Sequence, residues 1–453
     1  MSLKNVVVAL LLVVAAPLHA SPSAEWLNAP GALAEYAEES VFGGRVALYR
    51  AGPAKAEAVV LVHGLGKAAA RDWARVMPAL AQRYRVYALD LPGFGESDKG
   101  NHLYTPDNFA RVLESVLEKR VPRPFTLIGH SMGGAVALAY AAEYPQRLSR
   151  LVLVDSAGVL HRSVYAEFLA RVGAQRAIGM DSPWFESVVR AIQIRAENWP
   201  LRGELALERA GVRRRFLRGD PSAISAFAMV EHDFSRTLRE ISVPTLIVWG
   251  ADDTIAPLRT GHALASAIPQ ARLVVMEGAG HAPMVQMPER FNPIVLDEID
   301  GRQLAAQPYA APKRSLVSTR TARCDVSSGA EFTGDYAVLI LENCNKVRIS
   351  NARIGRLQST HSIASIVNSH VDRIEARNSR LEITGGSVGG TLALDASSID
   401  AAATRFDTAA LAANNGEAPV VVRLSVAEVS RPGYAPRPLH DIFHLAPGET
   451  LIR

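Results

Sequence analysis

The residues best able to do covalent chemistry are Ser131, in Gly129-His130-Ser131-Met132-Gly133, and His281, in Gly278-Ala279-Gly280-His281-Ala282-Pro283. A serine hydroxyl is a weak nucleophile at its ordinary pKa, so it needs a base within hydrogen-bond reach and an acid to orient that base. The pentapeptide fits G-x-S-x-G, in which a tight strand-to-helix turn exposes the serine and leaves no room for side chains two positions to either side. Such a turn also puts the backbone N–H of Met132 at a helix start, aimed at the place where a tetrahedral oxyanion forms. His63-Gly64-Leu65-Gly66 stands after an earlier apolar run, and its Leu65 N–H is the expected second oxyanion donor. The chemistry this pattern predicts is acyl transfer through a covalent intermediate, with no metal or organic cofactor.

Of 12 histidines, His281 alone lies in a glycine-rich loop after the final apolar run that follows the serine, which makes it the expected base. His63 precedes a glycine turn and is expected to order that loop. His262 falls inside a helical pattern, where a surface or packing role is expected. The acid is expected at Asp253 in Trp249-Gly250-Ala251-Asp252-Asp253, with Asp252 holding the turn through an Asx-type hydrogen bond. Asp155, which ends the run Leu151–Val154, is a third candidate that local spacing does not exclude.

Positioning these groups requires a frame. Ala58–Val62, Arg85–Leu89, Phe125–Ile128, Leu151–Val154, Thr245–Trp249 and Arg272–Met276 are continuous Val, Ile, Leu and aromatic runs, as in strands buried on both faces. Arg71–Gln82, interrupted at Pro78, and Pro106–Lys119, Met132–Glu143 and Leu258–Ala267 have helix-forming composition. Strand and helix alternate, which predicts a mostly parallel sheet flanked by helices. The alternation stops over 158–236, where Trp184, Phe185, Trp199, Phe216 and Phe227 are scattered through charged helical sequence. This segment is expected to form a helical cap above the strand ends, its aromatics either lining an acyl pocket or forming a small core of their own. Arg213, Arg214, Arg215 and Arg218 are expected on a solvated helix face.

With 453 residues and 48% hydrophobic content the chain exceeds one ordinary domain. Its 49 Lys+Arg against 45 Asp+Glu give no bias toward nucleic acid. Lys4, the apolar run Val6 to Ala16 and Ala20 have the layout of a signal peptide over 1–20, too short to span a bilayer as a transmembrane anchor. A periplasmic or secreted protein is therefore expected. Export would permit a disulfide between Cys324 and Cys344, the two cysteines of the chain, although spacing does not settle whether they pair.

His63-Gly64-Leu65-Gly66, Asp90-Leu91-Pro92-Gly93-Phe94-Gly95-Glu96-Ser97, Gly129-His130-Ser131-Met132-Gly133-Gly134, Trp249–Asp253 and Gly280-His281 resemble the successive motifs of α/β-hydrolases, closest to bacterial lipases and monoacylglycerol-lipase-like esterases. The resemblance spans about 38–300, with a core over 38–157 and 237–300. It implies the α/β-hydrolase fold, a Ser131-His281-Asp253 triad and a small-molecule or lipid ester as substrate. In that family the acid stands three residues after the strand-end glycine, which maps onto Asp253 after Gly250. Related C–C bond hydrolases share the triad and form the alternative reading. They typically carry Asn before the nucleophile and Pro in the oxyanion loop, where this chain has His130 and Leu65-Gly66.

The resemblance ends near Asp300. A polar connector over 301–320 leads into 321–453, rich in Asn, Ser and Gly with short apolar alternations. Val347–Ile354 aligns with Ile374–Leu381 at an offset of 27, and Ile399–Phe406 continues at 25. A repeat of that size suggests one coil of a β-solenoid, similar to a short right-handed parallel β-helix. Such a unit either contacts a polymer or glycan along one face or serves as a structural appendage. A non-catalytic binding protein, with the solenoid as its working surface, is the remaining alternative.

Overall fold

The computed structural model describes residues 21–165, 207–302, 318–408, 410–430 and 435–452. The first unit is built on an eight-stranded sheet of order β1-β2-β4-β3-β5-β6-β7-β8. Its strands are β1 Leu33–Glu38, β2 Arg45–Ala51, β3 Ala58–Val62, β4 Arg85–Leu89, β5 Phe125–His130, β6 Leu148–Val154, β7 Thr245–Gly250 and β8 Arg272–Met276. From β4 to β8 every pairing is parallel, whereas β1 and β2 form an antiparallel flank. The sheet thus begins at Leu33, ahead of the start expected near residue 38. Strands β3 and β4 are buried at every position, which explains their unbroken apolar runs.

Helices cover both faces. The segment Arg71–Gln82, expected to be helical with a break at Pro78, is a 3-10 turn at Ala69–Trp73 followed by α1, Met77–Leu80, with Pro78 in its first turn. Proline lacks an N–H for the helical ladder, so the helix starts at it and does not run through it. Helix α2, Pro106–Leu117, is capped by Thr105 Oγ1 accepting from Asn108 N–H at 3.2 Å and buries Phe109, Val112, Leu113 and Val116. In α3, Met132–Glu143, residues Met132 to Ala141 are all buried, as its apolar composition requires.

Of the capping segment, α4 Ala210–Leu217 and α5 Pro221–Glu231 are described, followed by α6, Thr237–Glu240. Trp184, Phe185 and Trp199 lie outside the described residues. Phe216 is exposed and Phe227 half-buried. The expectation of a solvated arginine face fails at Arg213, which is buried and donates to the carbonyls of Leu207, Glu208 and Asn101. It braces the cap to the loop before α2. The sheet is completed by α7 Leu258–Ala267, α8 Pro283–Gln286 and α9 Pro288–Ile299.

The C-terminal unit is all β, running from β9 Thr321–Asp325 through β10 Glu331–Glu342 and β11 Val347–Thr360 to β22 Thr450–Ile452. Successive coils pair in parallel, and inward residues stack in ladders. Leu339, Leu357, Ile374, Leu392 and Ala412 form one buried ladder, and Ile349, Ile366, Ile383, Ala401 and Leu424 another. The coil is shorter than the expected 25 to 27 residues, since Ile363 pairs with Arg380 and Arg380 with Ser398, steps of 17 and 18. Each coil has two corners with left-handed backbone. One corner recurs at Asn343, His361, Asn378 and Ala396, the other at Asn351, Asn368, Gly385 and Ala403. Aligning Asn351 with Asn378 matched a corner of one ladder with a corner of the other, and so overshot the coil. Cys324 and Cys344 form a disulfide between β9 and the corner after β10. At the far end, strands β21 Arg437–Leu445 and β22 pair antiparallel to their neighbours.

The two units are packed together. Arg259, on α7, donates to both carboxylate oxygens of Asp400 at 2.7 and 3.0 Å, to Thr384 Oγ1 at 2.9 Å and to the Asp400 carbonyl at 2.9 Å. His161 N–H donates to Ser425 Oγ at 2.9 Å, and Arg239 pairs with Glu428 at 3.2 Å. Ala402 and Val426 of the solenoid join the apolar cluster of the first unit. Among the described residues no helix is long and apolar enough to cross a membrane.

Candidate active site

The carboxyl ends of β5, β6, β7 and β8 carry Ser131, Asp155, Asp253 and His281 toward one point, where a parallel sheet opens its ligand crevice. Ser131 sits between β5 and α3 with φ 51° and ψ −116°, a strained conformation for a side-chain-bearing residue. Only glycines allow this turn. A Cβ on Gly129 would lie 2.2 Å from the Gly133 carbonyl oxygen, and one on Gly133 would lie 2.3 Å from that of Val62.

His281 Nε2 lies 2.9 Å from Ser131 Oγ, and His281 Nδ1 lies 2.7 Å from Asp253 Oδ2. The Asp253 side chain is fully buried and His281 is about one-fifth exposed, at 0% and 21%. Asp253 Oδ1 accepts from the N–H groups of Ile255 and Ala256 at 2.7 and 3.0 Å, which fixes the carboxylate plane. A hydroxyl, an imidazole and a buried carboxylate joined in this order can pass a proton from the hydroxyl to the ring and stabilise the resulting imidazolium. Asp252, by contrast, is exposed.

Gly64 passes directly over the serine: a Cβ there would lie 2.8 Å from His130 Nδ1 and 3.1 Å from Ser131 Cβ. Leu65 follows and is 37% exposed. Met132 is the first residue of α3, whose N–H has no acceptor within the helix. His63 is fully buried; its Nδ1–H donates to the Gly64 carbonyl at 2.7 Å and its Nε2 accepts from Leu91 N–H at 2.9 Å. Burial drives its pKa down, so it holds the loop as a neutral ring. His262 lies in a cleft of about 420 Å³ between α7 and the solenoid, away from Ser131.

Three further residues, His130, Asp90 and Asp72, act on the site. His130 Nε2–H donates to the His281 carbonyl at 2.7 Å and ties the serine turn to the histidine loop; burial and the His281 charge push its pKa down to about 3. Asp90, in the loop after β4, accepts from Ala70 N–H, Glu96 N–H and Tyr49 O–H and locks the segments around the site. Asp72 is a carboxyl whose pKa burial pushes up to about 6, opposed by the charge of His281. Hydrogen-bond donors clustered around Asp90 follow from its turn-rich motif, whereas nothing in the local sequence marks Asp72. Among the described residues there is no group of three or more His, Cys, Asp or Glu able to hold a metal.

A mostly parallel sheet covered by helices, with a serine on a strained turn after its central strand, defines a hydrolase of the α/β type. The model of the alpha/beta hydrolase family matches residues 59–294, more than half of the chain, and the chain belongs to that family. It is 32% identical over 254 residues to a 2-hydroxy-6-oxononadienedioate/2-hydroxy-6-oxononatrienedioate hydrolase of Cupriavidus pinatubonensis, covering 54% of this chain and 87% of that protein. An uncharacterised protein of Mycobacterium tuberculosis is 29% identical over 288 residues, 57% of this chain and 80% of its own length. Among solved structures, a thermophilic esterase from Thermogutta terrifontis matches with 28% identity and a TM-score of 0.43, over 59% of this chain and 98% of its own.

Proposed function

We propose that this protein is a serine hydrolase that cleaves carboxylic esters. The observation that carries the reading is the continuous hydrogen-bonded line from Ser131 Oγ through His281 to Asp253, at 2.9 and 2.7 Å. Ser131 attacks the ester carbonyl as His281 takes its proton, and Asp253 holds the imidazolium that forms. The N–H groups of Leu65 and Met132 stabilise the oxyanion. The proton returns to the departing alcohol; water, activated by the same ring, then releases the acid. No step calls for a metal or organic cofactor. In purified Ser131→Ala, turnover of a short p-nitrophenyl ester falls by about three orders of magnitude or more, and labelling by a fluorophosphonate probe disappears. Unchanged turnover in that variant refutes the reading.

Cleavage of a C–C bond by the same residues is the second reading, favoured by the similarity to the hydrolase from Cupriavidus pinatubonensis. That protein's name describes a dicarboxylate. Asp72, electrostatically coupled to His281, adds negative charge to this site above about pH 6, which supports an uncharged ester over a dianion. Comparing ester with vinylogous diketone turnover decides between the two. We also propose export with removal of residues 1–20, a reading the Cys324–Cys344 disulfide supports. Mass spectrometry of the mature N-terminus and cell fractionation test it.

A further inference from the structure

We propose that Asp155 works as a protonated carboxylic acid that shares its proton with Asp253, and so is a positioning residue for the triad carboxylate. This inference rests on the triad reading above. Asp155 ends β6 with left-handed backbone, φ 42°, and has no solvent exposure. Its N–H donates to the Val248 carbonyl at 3.1 Å, and its Oδ1 accepts from Gly250 N–H at 2.8 Å. Its Oδ2 is buried and meets no donor among the described residues. The Asp155 carboxyl lies within hydrogen-bonding reach of the carboxyl of Asp253.

Two carboxyls in contact, both away from water, do not both ionise, because like charges repel strongly where solvent cannot screen them. One proton must lie between them, and an unpaired buried oxygen is where it is missing from the inventory of donors. The surroundings decide which carboxyl carries it. Asp253 accepts three hydrogen bonds, from Ile255 N–H, Ala256 N–H and the His281 ring, and each favours its anion. Asp155 accepts one, from Gly250. The proton therefore belongs to Asp155, and its O–H becomes a fourth donor to Asp253. Burial and then the neighbouring Asp253 charge push the Asp155 carboxyl up to about 9. Among the described residues, the other titratable groups around the pair are His281 on the loop after β8, His130 at the end of β5, and Tyr165 beyond β6; each of the last two feels the Asp253 charge.

Below about pH 9 the pair carries one negative charge and Asp253 is held by four donors. Above it Asp155 ionises, the fourth donor is lost, and the two carboxylates push apart, so kcat/KM falls. Asp155→Asn keeps an acceptor for Gly250, an N–H donor for Asp253 and tolerance of the left-handed backbone, but cannot ionise. The wild-type protein shows a step in kcat/KM near pH 9 that Asp155→Asn lacks. Asp155→Ala, without the donor, loses about tenfold or more in kcat with little change in KM, whereas Asp155→Asn stays within about threefold. The sign for stability follows from the same protonation. A carboxyl raised above its unfolded value of about 3.9 favours folding at low pH and loses that contribution as pH rises toward the folded value. The melting temperature of Asp155→Asn therefore gains on the wild type between about pH 4 and pH 9.

A readout independent of turnover is the infrared difference spectrum of wild type minus Asp155→Asn, which contains a protonated-carboxyl C=O band at pH 7 that disappears above pH 9. No such band at pH 7, or identical pH profiles for the two proteins, overturns the assignment of Asp155 while Ser131→Ala remains inactive. Retained ester turnover in Ser131→Ala overturns the triad reading instead, whatever the infrared band shows.

Discussion

Arg259→Ala removes the side chain that joins the hydrolase unit to the solenoid, and its cost can be worked from the contacts. Arg259 and Asp400 are 15% and 5% exposed, and the pair is bidentate. Deleting one partner of a buried ion pair leaves the other as an uncompensated charge, which costs about 3–5 kcal/mol. Arg423 and Arg380 also act on Asp400, so the lower end, about 3 kcal/mol, is expected. This corresponds to a shift of about 150-fold in the unfolding equilibrium at 25 °C. The cost depends on pH in a defined direction. Burial pushes the Asp400 carboxyl up, and the guanidiniums of Arg259 and its neighbours outweigh this, holding it below the ordinary range. Its stabilising contribution is therefore present above about pH 3.9 and is lost as pH falls through the lower folded value. Asp400→Asn is milder, because Arg259 retains Thr384 Oγ1 and the backbone carbonyl at position 400 as acceptors. Urea unfolding of the three full-length proteins at pH 7 and pH 3 provides the assay. A loss below about 1 kcal/mol for Arg259→Ala, or an equal loss at both pH values, refutes the reasoning.

Two further outcomes follow. Gly133→Ala forces a Cβ to 2.3 Å from the Val62 oxygen and 2.5 Å from that of His63, neither of which can yield without moving the end of β3. It costs about 1–3 kcal/mol in thermal unfolding, and ester turnover falls further than stability alone explains. Asp72→Asn lowers KM for a negatively charged ester about fivefold at pH 8 relative to a neutral ester, and steady-state kinetics show the preference vanishing below about pH 6, where the wild-type carboxyl is neutral.

What could be read from sequence follows burial. Ala58–Val62, Arg85–Leu89 and Arg272–Met276 have the expected bounds because each is a short apolar run ended by polar residues. Leu33–Glu38 is not legible because an edge strand mixes buried and exposed positions and carries charge, and Arg45–Ala51, buried at five of its seven positions, is interrupted by Arg50. In the solenoid, apolar alternation identified the class of fold, but two asparagine-bearing corners per coil gave a false period. Ser131, His281 and Asp253 could be named from motifs because each terminates a strand in a distinctive turn. From sequence Asp155 reads only as a rival to Asp253. That the two carboxyls meet is a fact of strand order, β6 beside β7, and one-dimensional spacing does not contain it. Arg213 is buried where sequence predicts a solvated face, because a run of arginines does not reveal which one points inward.

The two ends of the solenoid differ from the coils between them. A stack of parallel coils exposes at each end the same hydrogen-bonding edge it uses inside, and such an edge invites another copy to continue the stack. Here β9 bears exposed Thr321, Arg323 and Asp325 and is tied through Cys324 to Cys344 in the adjoining coil. The opposite end finishes in β21 and β22, which run against the stack, so an incoming parallel coil finds no matching direction. One end is pinned and polar, the other reversed. Both ends are thereby poor templates for a further parallel coil.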